Sequence, residues 1–389
     1  MKPFAFHNPV KLYFGPGTVE KAGEAAAALG RKALVVTGTG SARKTGLLAR
    51  VVALLEKSGV QSVLFEKATP NPLSTTVDEG VALFQAEGCD VIVGIGGGSP
   101  IDTAKAISLC AANGGRITDY QPGGARADAN PPHAVPVVAI ATTAGTGTEI
   151  DRYLVITNAE TNEKPGIGFD CTYPAVGIVD PELMATVPPD VTADTGLDVL
   201  YHALEAYVST GAHPFSDLLA TEAIKLVVAN LERAIADGTD LEARTNMAWA
   251  STLAGWAIDL AGTVAIHGAA HPVSGRLGAT HGKSLAALAV AYLRNNQQAA
   301  PERFATLAKL LGYQGEGLSA GELAAKSAEA LKDFQRRVGR DITLGSLGVT
   351  REMIPDLVKD TFKTMSGAIG NNPRPLTEGD IEKLYRDSL

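Results

Sequence analysis

Two hydrophobic rhythms divide this chain, and the switch between them constrains the fold more than any other feature. In the first half, short apolar runs rich in β-branched residues alternate with Ala-rich helical patterns. KALVVT from Lys32, QSVLF from Gln61, VIVGI from Val91 and VVAIAT from Val137 read as strands, with helices between them such as the run from Arg43 to Lys57. Strands that are apolar on both faces and separated by helices predict a parallel sheet covered on two sides, a doubly wound, Rossmann-like α/β domain. After Asp180-Pro181-Glu182-Leu183 and the Pro188-Pro189 pair, the β-branched runs nearly vanish. A 3.6-residue periodicity takes over, as in SDLLATEAIKLVVANLERAIA and GELAAKSAEALKDFQRRV. The second domain is therefore expected to be an all-α helical bundle. At 389 residues the chain is long for a single core. We set units of 1–189 and 190–389.

A hydrophobic content of 45% with 20% charged residues is that of a soluble globular protein. The net charge of -8 and the absence of a basic run argue against a nucleic-acid surface. No stretch reaches the length of a membrane span, and MKPFAFHNPVKLYF carries neither an apolar signal core nor a cleavage pattern. The expected location is the cytoplasm. Cys89, Cys110 and Cys171 are odd in number and lack CxxC spacing, so they read as small apolar residues.

The second half holds a set of possible metal ligands: Asp198 and His202 in GLDVLYHALEAY, then His267 and His281 in IHGAAHPVSGRLGATHG. Asp198 and His202 are four residues apart and project from one face of a helix. His267 and His271 repeat that spacing, and His281 follows a glycine-broken connection. A lone histidine on an apolar helix is more often a hydrogen-bonded core residue than a ligand. Here several coincide in Ala- and Leu-rich segments, where a buried Asp beside imidazoles needs a cation or strong hydrogen bonds. Three imidazoles and a carboxylate suit Fe(II), Zn(II) or another first-row divalent ion, not magnesium or calcium.

VIVGIGGGSPIDTAKAI runs from strand to glycine turn to helix start. Gly96, Gly97 and Gly98 allow close backbone approach, with Ser99, Pro100 and Asp102 expected at the N-cap, N1 and N3 positions of a capping-box-like start. Backbone N–H groups there would face the diphosphate of a dinucleotide. A second polar loop, Thr142 to Glu149, follows the VVAIAT strand, where open α/β sheets bind ligands.

These segments carry a resemblance. GGGSPIDTAK, TTAGTGTE, GLDVLYHALEAY, HGAAHPVSGRLGATHG and GNNPRPLTEGDIEKLY occur in the order of the iron-containing (group III) alcohol dehydrogenases, and the chain resembles that family along its whole length. The resemblance implies a metal-dependent NAD(P)-linked alcohol dehydrogenase or aldehyde reductase acting on a small primary alcohol or aldehyde. Asp198, His202, His267 and His281 would hold one divalent metal, usually iron. His271 would be a non-ligand histidine that helps move the proton near the nicotinamide. Gly97, Gly98, Ser99 and Asp102 would lie along the diphosphate. Thr142, Thr143, Thr146 and Asn71 would contact the nucleotide, Asp151 would border the cofactor, and Lys164 would reach the nicotinamide ribose. Lys105 is left unassigned, as an exposed helical lysine. The cofactor is expected in the cleft between the domains.

Gly38 departs from the Asp that NAD-preferring relatives often carry after the second strand, where a carboxylate repels a 2'-phosphate. Gly38-Thr39-Gly40-Ser41, followed by Arg43-Lys44, resembles the loop of NADP-linked members. NADP(H) is therefore expected in preference to NAD(H), with Gly38 and Ser41 as contacts. Tyr153 and Ile258 also differ from many relatives and leave the substrate open. An alternative is an NAD- and metal-dependent lyase resembling dehydroquinate synthase, against which stand the Ala-rich metal-binding segments. KLYFGPG, read with the family pattern, implies an N-terminal strand paired with a second subunit, in a homodimer or a higher even-numbered oligomer.

Overall fold

The apolar runs of the first half form a parallel sheet. The computed structural model describes residues 3–389, so the first two residues of the expected 1–189 unit lie outside the described residues. The strands are β1 (Lys11–Phe14), β2 (Lys32–Gly38), β3 (Gln61–Ala68), β4 (Val91–Gly96), β5 (Val137–Ala141), β6 (Tyr153–Val155), β7 (Gly166–Gly168) and β8 (Val176–Val179). Six of them build one sheet in the order β1-β8-β5-β4-β2-β3, every pairing parallel. β6 and β7 make a separate antiparallel pair. The connection from β3 to β4 crosses over β2, so the turn after β4 lies beside the reversal of strand order, the crevice where such sheets bind ligands.

The helices of this unit are α1 (Ala22–Ala27), α2 (Ser41–Lys44), α3 (Leu47–Lys57), α4 (Ser74–Glu87) and α5 (Gly98–Asn113). Alternate residues of each central strand enter different cores, as a two-faced sheet requires. Val35, Val93 and Ile140 pack with Leu48, Val51 and Leu55 of α3. Leu34, Val36 and Ile92 pack with Phe84 of α4 and Ile107 of α5. The helix expected from Arg43 to Lys57 is in fact two, because Gly46 takes a left-handed conformation (φ 79°) at the break. β6, β7 and β8 were not among the strands read from the sequence, whereas β1 is the N-terminal strand expected at KLYF. KLYF pairs with β8 of its own chain, at the edge of the sheet.

The second half is helical: α6 (Pro189–Val208), α7 (Pro214–Ala236), α8 (Leu241–Ala261), α9 (Ala265–Leu277), α10 (His281–Asn296), α11 (Pro301–Leu310), α12 (Ala320–Arg337), α13 (Ile354–Thr364), α14 (Ser366–Gly370) and α15 (Glu378–Asp387). The described residues divide into two compact units, 7–186, and 187–389 together with 3–6. In the helical unit α6 packs against α7, α8 and α10, and α9 against α10 and α13. Among the described residues no single helix is long and apolar enough to cross a membrane; α8 and α9, apolar as a pair, meet at a 106° bend. Cys89 and Cys110 are buried, Cys171 is half-buried, and all three are free thiols; burial pushes the Cys110 thiol up to about 12.

Candidate metal centre and cofactor turn

Asp198 and His202 lie one turn apart on α6, His267 and His271 one turn apart on α9, and His281 opens α10. The three helices bring these residues to one point. Asp198 Oδ1 lies 3.4 Å from His267 Nε2, and 3.8 Å from both His281 Nε2 and His202 Nδ1. Asp198, His267 and His281 offer ligand atoms all within 4.8 Å of one another. The His202 ring stacks on His267 with centroids 4.4 Å apart. His271 is buried and meets the rings of His267 and His281 edge-on, at 6.2 and 5.1 Å.

The electrostatics of this cluster favour a cation. Burial opposes ionisation of Asp198, but the imidazoles of His202, His267 and His281 outweigh it and hold the carboxyl well below the usual range. Burial also opposes a charge on His267. The carboxylates of Glu205 and Asp198 prevail and raise it to about 9. A position that draws a proton so strongly also draws a metal ion, which displaces that proton when it binds. Asp198 Oδ1 and His267 Nε2 are buried and face each other without hydrogen-bond geometry. Buried polar atoms left in this way fit a ligand set whose partner is an ion. Nitrogen and oxygen donors suit a first-row divalent metal.

Glu205 was missed by the sequence reading. It follows His202 by one further turn on α6, is completely buried, and lies 2.6 Å from His267 Nδ1. The signal was present in GLDVLYHALEAY as an acid, imidazole and acid at i, i+4 and i+7 on one face.

In the sheet unit, the turn after β4 is built for close approach. A Cβ on Gly97 would sit 2.7 Å from Thr143 Oγ1, and one on Gly98 would sit 2.7 Å from Thr146 Cγ2. A side chain at either position would force Thr143 or Thr146 to shift, so the loop carrying Thr142, Thr143 and Thr146 is drawn against the turn. Thr142 N donates to Gly96 O at 2.8 Å. The expected capping box is not found. α5 begins at Gly98 with Gly97 as its N-cap, so Ser99 and Asp102 lie inside the helix. Asp102 is occupied elsewhere: Thr148 Oγ1 donates to one oxygen at 2.6 Å and Val155 N to the other at 3.0 Å. Burial raises this carboxyl to about 6 against the pull of Lys105 and its donors.

Lys105 is not exposed. α5 is buried from Pro100 to Cys110, and the Lys105 ammonium donates to Thr148 Oγ1, Asp151 O and Tyr153 O at 2.8–2.9 Å. Asp151 is buried with it. Asn71 and Lys164, far apart in sequence, are brought together: Lys164 Nζ donates to Asn71 Oδ1 at 2.8 Å, and Asn71 holds a positive φ of 53°. Gly38 ends β2, and Ser41 opens the short α2 and is exposed. Arg43 is already engaged, its guanidinium forking onto Glu66 at 2.9 and 2.5 Å.

Comparison with known proteins leads to the same family. The iron-containing alcohol dehydrogenase profile matches residues 9–181, and that of the Fe-containing alcohol dehydrogenase family C-terminal region matches 192–389. The chain is 40% identical over 385 residues to an NAD-dependent methanol dehydrogenase of Bacillus methanolicus, covering 99% of each. It is 39% identical over 388 residues to a 1,3-propanediol dehydrogenase of Klebsiella pneumoniae, again 99% of each. Among solved structures, an archaeal halo-thermophilic alcohol dehydrogenase from a Red Sea brine pool matches with a TM-score of 0.95 and 36% identity over 100% of both chains. The chain thus belongs to the iron-containing alcohol dehydrogenase family, whose members are oxidoreductases acting on CH–OH groups.

Proposed function

We propose that this protein is a metal-dependent alcohol dehydrogenase and aldehyde reductase that transfers hydride between a nicotinamide dinucleotide and a small primary alcohol or aldehyde. The observation that carries the reading is the convergence of His202, His267 and His281 on the one buried oxygen Asp198 Oδ1. These four residues are the proposed ligands of Fe(II), with Zn(II) or another divalent ion as substitute. Such an ion, when bound, lowers the pKa of an alcohol oxygen at neutral pH and in the reverse direction polarises an aldehyde carbonyl.

The side chains do the remaining work. Asp198 supplies the negative charge that balances the ion, and its burial keeps that attraction strong. His271, beside His267 and His281, is proposed to relay the alcohol proton. Gly97 and Gly98 let the diphosphate approach the first N–H groups of α5, including that of Ser99. Thr142, Thr143 and Thr146 are proposed to contact the nucleotide from the opposing loop, with Asp102 and Asp151 behind it. Asn71 steadies Lys164, which is proposed to reach the nicotinamide ribose. We assign dinucleotide binding to residues 1–189 and metal binding with catalysis to residues 190–389.

NADP(H) is the proposed preference, with NAD(H) also used. Gly38 offers no carboxylate to repel a 2'-phosphate, and Ser41 and Lys44 remain as donors while Glu66 occupies Arg43. A cytoplasmic location and a homodimer or higher even-numbered oligomer complete the proposal. The lyase alternative is not favoured by the family to which the chain belongs. The test is a panel of alcohols and aldehydes with both cofactors on metal-reconstituted protein. Reduced nicotinamide should accumulate with an alcohol, and its failure to do so with every alcohol and both cofactors would refute the reading.

A further inference from the structure

We infer that Glu205 is a positioning residue that fixes the His267 ring so that Nε2, not Nδ1, is presented to the metal; the inference rests on the ligand assignment proposed above. One Glu205 oxygen accepts from Val264 N at 2.6 Å, and both lie 3.2–3.3 Å from His267 N. These N–H groups are those of the α9 N-cap residue Val264, which has no side-chain acceptor to offer, and of His267 in the first turn. The carboxylate therefore caps α9, and its own place is set by that helix. The same carboxylate lies 2.6 Å from His267 Nδ1.

A carboxylate held by backbone donors can only accept, so Nδ1 must carry the hydrogen of that bond. The lone pair of the neutral ring is then on Nε2, the atom that faces Asp198 Oδ1 at 3.4 Å. A ring flip or a change of tautomer would break the bond to Glu205. One buried acid thus ties the ligand's backbone and its ring to α6, the helix that also carries Asp198 and His202.

Glu205→Gln retains the volume and one acceptor but introduces an amide N–H₂. Turned toward His267 it favours the wrong tautomer, and turned toward Val264 and His267 N it meets other donors. The variant and the wild type are stripped of metal, titrated with Co(II) against a chelating dye, and their visible Co(II) spectra recorded. We expect the Gln variant to bind Co(II) about 10–100-fold more weakly and with an altered spectrum. Wild-type affinity and spectrum in the variant, with only a lowered melting temperature of the metal-free chain, would mean that Glu205 serves the fold alone and would overturn the inference. A wild type that takes up no Co(II) would overturn the metal reading and this inference with it. If the Gln variant does not fold, Zn(II)-loaded wild type carrying nitrogen-15 histidine decides. His267 should show Nδ1 protonated and Nε2 bound to metal, and the reverse would overturn the inference.

Discussion

Lys105 Nζ lies 3.2 Å from Asp151 Oδ1, and neither side chain reaches solvent. Around this pair Thr148 Oγ1 accepts from Lys105 and donates to Asp102, so one ammonium links α5 to the chain that follows the threonine loop. Removing one partner of a buried ion pair leaves the other charge uncompensated, at a cost of about 3–5 kcal/mol. Lys105→Met should therefore lower the melting temperature markedly and weaken nucleotide binding. Wild-type melting of that variant would show that the network is not holding this region.

His271 touches the rings of His267 and His281 but is not counted among the ligands. His271→Ala should keep its metal and lose roughly 100-fold or more in kcat, the scale of an acid–base contribution. Loss of the metal from this variant would make His271 a ligand instead.

Cofactor choice is tested at Gly38. A Cβ there would meet nothing closer than Ala68 O at 3.5 Å, and the backbone is one that any residue adopts, so Gly38→Asp should fold. The ratio of kcat/KM with NADPH to that with NADH should fall at least roughly tenfold, the effect of about 1.4 kcal/mol. An unchanged ratio, or a wild type that strongly prefers NADH, would contradict the proposed preference.

Asp380, three residues after the N-cap Thr377 of α15, closes the capping box by accepting from Thr377 N and pairs with Arg374 at 2.9 Å. The Arg374 guanidinium, against partial burial and with the help of Thr377, holds its carboxyl at about 2, below the ordinary 3.8. A carboxyl lowered by folding stabilises the folded chain above its unfolded pKa and loses that contribution as pH falls through the folded one. Asp380→Asn should therefore be less stable than the wild type at neutral pH, with the gap closing toward pH 2. A gap that is constant in urea unfolding from neutral pH down to 2 would contradict this.

Sedimentation addresses assembly. β1 is an edge strand, and an edge left open is a template for pairing with another chain. A homodimer or larger even-numbered species is expected, and a stable, active monomer would contradict it.

What the sequence showed and what it hid follow from the same physics. β2, β4 and β5 were legible because their apolar runs are continuous and buried on both faces, and the edge strand β3, where Leu64 is exposed, was legible from its short VLF run alone. β8, only four residues long, follows Pro174 and gives too short a run to stand out, and β6 and β7 have three residues each. The proposed ligands on α6 and α9 were visible through their four-residue spacing. Lys105 was misread because lysine on a helix normally faces water, and only the packing of α5 on every side shows otherwise. The spacing along α6 puts Glu205 on the face of Asp198 and His202, but its bonds to Val264 and His267 are made by α9, which that spacing does not report.

The central claim is that one metal held by Asp198, His202, His267 and His281 is needed for nicotinamide-linked alcohol oxidation. The direct measurement is metal content and reduced-nicotinamide formation, on the same anaerobically Fe(II)-reconstituted samples, for the wild type, for chelated wild type and for His267→Ala. About one metal per chain with turnover in the wild type, and loss of both after chelation or in a still-folded His267→Ala, is the predicted result. Undiminished turnover after exhaustive chelation, or full activity and normal metal content in His267→Ala, would contradict it.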